Sequence, residues 1–250
     1  MKKIRISAVS YTNTKPFLYG IQNSAIQDQI ELSVDIPADC AQKLIDDKVD
    51  IGLIPVAAIL SLPQWNILSD YCIGAVGAVN SVFIFSNCNI SEVKHVQLDP
   101  QSRSSNNLAR VLLKNYWKLQ PELVADAKDY GQSADLQTAY VQIGDRTFGK
   151  KAEYRFAYDL SEEWQKYTGL PFVFAAWIAN KTIPREFVDQ FNIALKYGLD
   201  HRPELLKELQ EHPNFDLQDY LMHKLDFDLT DKKREALQLF LTKVKELQDQ

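Results

Sequence analysis

Residues 96–113 read VQLDPQSRSSNNLARVLL. An apolar, β-prone start runs to Leu98, a polar turn follows, and then Leu108, Val111 and Leu112 fall on one face of a helix. Ser102, Ser104, Ser105, Asn106 and Asn107 cluster where that helix begins, more hydroxyl and amide groups than one N-cap uses. A helix start leaves backbone N–H groups unpaired and carries a partial positive charge, so a junction built this way suits a carboxylate or a phosphate. The competing reading is a polar loop that only caps its helix.

The same strand-then-helix unit recurs on either side. Residues 4–10 read as a strand that runs into Tyr11-Thr12-Asn13-Thr14-Lys15-Pro16 and a short helix over 17–21. Strands over 30–36 and 50–54 are followed by helices over 37–46 and 55–62, each opened by a proline. This alternation predicts an α/β protein with a largely parallel sheet. Residues 71–86 (YCIGAVGAVNSVFIFS) exceed a typical strand, so they are either two strands or one strand crossing between lobes. From residue 93 the alternation resumes: a strand to 98, a helix over 104–117, and strands over 139–143 and 154–158. A turn over 145–148 and a helix over 160–167 complete this part. Residues 171–178 (PFVFAAWI) are a second long apolar strand placed to cross back. The rest is helical, with starts at Pro184, Pro203, Pro213 and Thr230; Leu237, Phe240, Leu241, Val244 and Leu247 form one stripe of the last helix. The expected architecture is two lobes, residues 1–85 with 178–250 and residues 86–177, with a ligand cleft between them that collects the polar junctions near Asn13, Ser81 and Ser102–Asn106.

With 250 residues, 46% hydrophobic and 24% charged, the chain is an ordinary globular protein able to build one large domain or two lobes. The net charge of −5 and the lack of a Lys/Arg cluster argue against nucleic-acid or membrane partners. Cys40, Cys72 and Cys88 form no CxxC pair, which fits reduced thiols. Ser7, Ser10 and Tyr11 interrupt any apolar run after the basic start, so no signal peptide is expected and the protein is placed in the cytoplasm. His95, His201, His212 and His223 are scattered, and Gly74 and Gly77 do not make a dinucleotide fingerprint. Neither GxSxG nor a phosphate loop is present. No metal or cofactor is therefore expected. Asp145 either caps a short helix or serves the site; Asp99, before Pro100, reads as a turn residue. Tyr11 either faces the cleft or packs beneath it, and Arg103 and Lys15 are the cations nearest the polar junctions.

VSYTNTKP, DIGLIPVAAI, GAVNSVFIFS, LDPQSRSSNNLARVLL, YVQIGD and YDLSEEWQKYTGLPFVFAAW together resemble, in order and spacing, the chorismate dehydratase family, the first enzymes of the futalosine route to menaquinone. The resemblance spans residues 4–177 and is most specific in the DL-x-x-x-W-x-x-x-TGLPFVFA block. It implies a two-lobed periplasmic-binding-protein type II-like fold with two crossover strands and a C-terminal helical segment. It also implies that Asn13, Ser81, Ser104 and Ser105 line the substrate cleft. Departures are Ser104 where relatives usually carry Thr, Val56 and Ala58 where many carry Ser and Glu, and Arg146-Thr147-Phe148 after the IGD motif.

The implied reaction is loss of water from chorismate to give 3-[(1-carboxyvinyl)oxy]benzoate. Aromatisation drives it, so it needs no cofactor. On this resemblance Ser104, Ser105 and Asn106 meet a substrate carboxylate, Asn13 meets the ring hydroxyl, and Ser81 contacts the substrate from the hinge side. Arg103, Tyr11 and Asp145 complete the expected site, and the enolpyruvyl carboxylate of chorismate serves as the base. Two other readings stand beside it: the sister enzyme 1,4-dihydroxy-6-naphthoate synthase, which would use a histidine, and a non-catalytic solute-binding protein of a transporter.

Overall fold

The computed structural model describes residues 3–133 and 135–248. Its first sheet is built from β1 (Ile4–Val9), β2 (Ile30–Asp35), β3 (Ile51–Pro55), β4 (Asn66–Ala75), β10 (Phe172–Ala179) and β11 (Asp226–Asp228), in the order β11-β4-β10-β3-β1-β2. The second holds β5 (Val82–Ser86), β6 (His95–Gln97), β7 (Glu122–Val124), β8 (Thr138–Ile143) and β9 (Phe156–Asp159), in the order β7-β6-β8-β5-β9. β3 and β10 are unbroken apolar runs, buried at every residue, as central strands covered on both faces must be.

The sheets are mixed, not largely parallel. β1 runs parallel to β2 and β3, and β6 to β7 and β8. However, β10 is antiparallel to β3 and β4, and β5 to β8 and β9. The reason is where each strand enters its sheet. β1 and β3 end at the cleft, whereas β10 and β5 start there, because the chain has just crossed from the other sheet.

The crossings also shift the expected lobe boundaries. β5 belongs to the second sheet and β10 entirely to the first, so the chain changes sheets within residues 76–81 and 169–171 instead of at 85/86 and 177/178. The 171–178 strand therefore does not itself cross. At the first crossing Asn80 takes a left-handed conformation, φ 59°, which asparagine tolerates better than most residues, and its N–H donates to Asp159 Oδ2 at 2.7 Å. The second crossing explains the TGLP sequence. Asp159 caps α4 (Leu160–Thr168), and Gly169 ends it at φ 76°, where a Cβ would be strained. The indole N–H of Trp164 then donates to Pro171 O at 3.0 Å.

Helices α1 (Lys15–Gln22), α2 (Pro37–Ile45), α5 (Arg185–Asp200) and α6 (Arg202–Glu208) start close to the predicted positions. The segment after Pro55 is a 3-10 helix, Val56–Ser61, and the helix from Ser104 is α-helical only through Val111 (α3), continuing as a π-helical turn over Leu112–Tyr116. No helix begins at Pro213. His212 and Phe215 form a bridge there, and α7 (Leu217–Asp219) starts beyond it behind the Asp216 cap. The final helix α8 (Asp231–Gln248) is the longest, with Leu237, Phe240, Leu241 and Val244 buried as the stripe required.

Candidate active site

The strand ends converge on a partly open cavity between the two sheets. Val9 and Tyr11 follow from β1, Pro55 from β3, Ser81 and Val82 from the first crossing, Ile143 and Gly144 from β8, and Phe174 and Ala175 from β10. Ser102, Ser104 and Ser105 come from the start of α3 and Asn13 from the turn after β1. The walls are apolar, and every polar side chain among the lining residues is uncharged.

Of the eight site residues read from the sequence, Tyr11, Asn13, Ser81, Ser104 and Ser105 line this cavity; Arg103, Asn106 and Asp145 do not. Each of the three is occupied elsewhere. The Asn106 amide clips the backbone of Asp99, accepting from its N–H at 2.9 Å and donating to its carbonyl at 2.8 Å. Arg103 Nη2 donates to Gln42 Oε1 of α2 at 3.1 Å. Asp145 does not cap its own 3-10 turn (Gly144–Thr147). Its carboxylate reaches the other lobe, accepting from Thr12 N at 3.1 Å and Thr12 Oγ1 at 2.9 Å.

The start of α3 is shared between capping and the cavity. Ser102 Oγ accepts from Ser105 N at 3.0 Å, and Ser104 Oγ accepts from Ala57 N at 3.1 Å. The Ser104 hydroxyl thereby joins the two lobes and keeps its own hydrogen to donate. The backbone N–H groups of Ser104 and Asn106 and the Ser105 hydroxyl have no hydrogen-bond partner among the described residues. Val56 and Ala58, the departures in the Pro55 segment, are fully packed away; that segment contributes Pro55 as wall and the Ala57 N–H as a tie.

Tyr11 packs and faces the cavity at once. Its ring lies against Gly144, where a Cβ would come within 2.6 Å of ring carbons, and its phenol donates to Gln101 Oε1. Gly144 also has φ 65°, so this position requires glycine twice over.

Two residues escaped the sequence reading. Arg146 pairs through Nη2 with both oxygens of buried Asp99, at 2.8 and 2.6 Å, so Asp99 is the anchor of an ion pair and not merely a turn residue. Tyr220 is fully buried, and its phenol donates to Ser81 Oγ at 2.9 Å. Arg146 had a signal, since it stands in the unusual triplet after IGD. Tyr220 lies in the helical tail and had none. The third residue of that triplet, Phe148, stacks on Phe215 at 3.8 Å.

Burial raises the Asp145 carboxyl above the usual carboxylate range, against the lowering effect of the Thr12 donors. A carboxyl raised on folding contributes stability that is complete below its unfolded value, about 4, and is lost as pH rises through the folded value. Asp145→Asn is therefore expected to flatten that part of the stability-versus-pH curve. Melting of the wild type and the variant across the acid range measures it; two curves that fall in parallel would contradict the assignment.

Two α/β lobes joined by two crossings, with a cavity at the join, define a periplasmic-binding-protein-like protein. Residues 4–246 match the model of the family described as menaquinone biosynthesis; the chain belongs to that family and has a role in that pathway. Among solved structures it is similar to protein AF1704 of Archaeoglobus fulgidus, with 14% identity, TM-score 0.74, and coverage of 99% of this chain and 98% of that one. A Candida albicans protein described as having the generic periplasmic binding protein fold matches with 10% identity, TM-score 0.65, and coverage of 100% and 95%. The ligand-binding component of an ABC-type import system from Staphylococcus aureus, solved with zinc bound, matches with 14% identity, TM-score 0.63, and coverage of 100% and 93%. At these identities the likeness is one of fold. Among the described residues no helix is long and apolar enough to cross a membrane, and no group of three His, Cys, Asp or Glu is placed to hold a metal.

Proposed function

We propose that the protein is a hydro-lyase that dehydrates chorismate to 3-[(1-carboxyvinyl)oxy]benzoate, the opening reaction of the futalosine route. The observation that carries this reading is an apolar cavity between the lobes whose polar side chains, Asn13, Ser81, Ser104 and Ser105 among them, are all neutral hydrogen-bond formers.

The chemistry asks for such a site. The hydrogen on the ether-bearing ring carbon is acidified through the diene by the ring carboxylate. Its removal leaves a delocalised carbanion on that carboxylate, and expulsion of the neighbouring hydroxyl then forms the aromatic ring. The enolpyruvyl carboxylate takes the proton, which leaves with the hydroxide as water. The protein supplies geometry and dipoles. The open N–H groups at the start of α3 and the Ser104 and Ser105 hydroxyls receive the ring carboxylate, where negative charge grows. Asn13 donates to the departing hydroxyl. The three free cysteines support a reducing compartment, the cytoplasm.

The sister-enzyme reading calls for a histidine at the site. His95 stands outside the cavity, between Glu122 and Asp135 at 3.5 and 3.4 Å, and none of the other three histidines lines the cavity either. Incubation of the protein with chorismate, followed by mass and NMR analysis, tests the proposal. One product, short of one water and aromatic, is expected. Unchanged chorismate or a rearranged carbon skeleton would overturn it.

A further inference from the structure

Tyr220 belongs to a π-helical turn, Tyr220–Lys224, that follows α7 and ends at Leu225, a lining residue of the cavity. Its ring is held edge-on by Phe148, centroids 5.4 Å apart at 73°, and by Phe215, at 5.3 Å and 69°. Neither ring offers the phenol an acceptor. The phenol donates to Ser81 Oγ at 2.9 Å, and the Asn13 side chain interacts with the same phenol. A buried hydroxyl left unpaired is costly, so this geometry fixes where the phenolic hydrogen goes.

The consequence falls on Ser81. Its backbone carbonyl already accepts from Gly144 N at 2.8 Å, and its Oγ receives the phenolic hydrogen. The hydrogen of the Ser81 hydroxyl has no acceptor among the described residues, and Ser81 lines the cavity. A hydroxyl that accepts one hydrogen bond is polarised to donate a stronger one.

We propose that Tyr220 is a positioning residue that fixes the Ser81 hydroxyl as a donor into the cavity, beside Asn13, toward the ring hydroxyl that leaves as water. The proposal rests on the dehydratase reading for the identity of the atom Ser81 meets. It assigns Tyr220 no proton transfer and no contact with substrate. Tyr220 acts on the reacting centre through Ser81, and its phenol sets that residue at the crossing beside Asn13 in the turn after β1.

Three variants test this: Tyr220→Phe, which keeps the ring packing, Ser81→Ala, and the double variant. With chorismate, Tyr220→Phe is expected to lower kcat on the order of 10-fold with KM within about threefold, since the bond it supports matters most as charge develops on the leaving oxygen. Ser81→Ala should cost as much or more. The double variant should be no slower than Ser81→Ala alone, because two residues acting through one group are not additive. A wild-type kcat in Tyr220→Phe, or multiplied losses in the double variant, would overturn the proposal. Crystal structures of the wild type and Tyr220→Phe read the same point without turnover. Ser81 Oγ is expected to leave its wild-type rotamer in the variant, and an unchanged rotamer would overturn the positioning role. A wild-type protein inert toward chorismate, with Ser81 rotating as expected, would overturn only the dehydratase reading.

Discussion

Asn13→Ala is expected to lower kcat for chorismate on the order of 100-fold, while KM changes by less than about threefold. The split follows from where the amide acts. Asn13 lies in the 3-10 turn Thr12–Thr14 directly after β1, and its Oδ1 accepts from Thr14 Oγ1 at 3.2 Å. The oxygen end of the amide is thus occupied, and of its two N–H hydrogens one meets the Tyr220 phenol and the other is left to donate. The turn itself is pinned by Asp145 through Thr12, so removal of the Asn13 side chain leaves the backbone in place. A donor to a neutral ring hydroxyl contributes little to ground-state binding. It contributes much more as that oxygen takes on the charge of hydroxide, because only a contact that strengthens toward the transition state raises kcat. Steady-state kinetics, with product followed by its aromatic absorbance, measures both parameters. A rise in KM alone would remove Asn13 from the leaving-group role and make it a binding residue.

Asp99→Ala is expected to destabilise the protein by about 3 kcal/mol, at the lower end of the cost of stranding one partner of a buried ion pair. Asp99 is 1% exposed, and each of its oxygens carries two bonds. Oδ1 accepts from Gln101 N at 2.8 Å and Arg146 at 2.8 Å. Oδ2 accepts from Ile143 N at 3.0 Å and Arg146 at 2.6 Å. One carboxylate thereby ties the turn before α3 to the end of β8, the two segments that bring Ser102, Ser104 and Gly144 to the cavity. Alanine leaves a guanidinium and two backbone N–H groups without their acceptor. The lower end of the range applies because the Arg146 side chain is 30% exposed and water reaches part of it. In a chain of this size the loss corresponds to a fall in Tm of roughly 10 °C. Thermal unfolding of the variant checks it, with Asp99→Asn, which retains one acceptor oxygen, expected to fall in between. An Asp99→Ala protein as stable as the wild type would mean that Arg146 finds water at no cost.

The polar junctions were legible because each violates the economy of an ordinary loop. A run of hydroxyls and amides at one helix start, a Tyr-Thr-Asn-Thr turn after an apolar strand, and a serine interrupting a long β-run all mark places where backbone ends need more than a cap. All three meet at one cavity. The expected alternation also located most strands and helices, since continuous apolar runs such as those of β3 and β10 have few other uses. Partner choice was not legible. Nothing local distinguishes Asn106, spent on the Asp99 backbone, from Ser105, which faces the cavity, because the difference lies in which side of the helix start the other lobe closes upon. Strand direction was hidden for a similar reason: β10 runs against β3 only because the chain re-enters from the cleft. Tyr220 acts on Ser81 across 139 residues of chain, a distance over which no sequence periodicity carries information. The 3-residue strands β7 and β11 are too short for alternation to register.

In the proposed reaction neutral donors hold an anion while its own aromatisation supplies the driving force. Chorismate deuterated at the ether-bearing ring carbon, given to protein treated with a chelator and dialysed, tests this most directly. The expected result is growth of the benzoate absorbance at the same rate with and without the chelator treatment, and a product that has lost the deuterium. No aromatic product under these conditions, or a product that retains the label, would contradict the account.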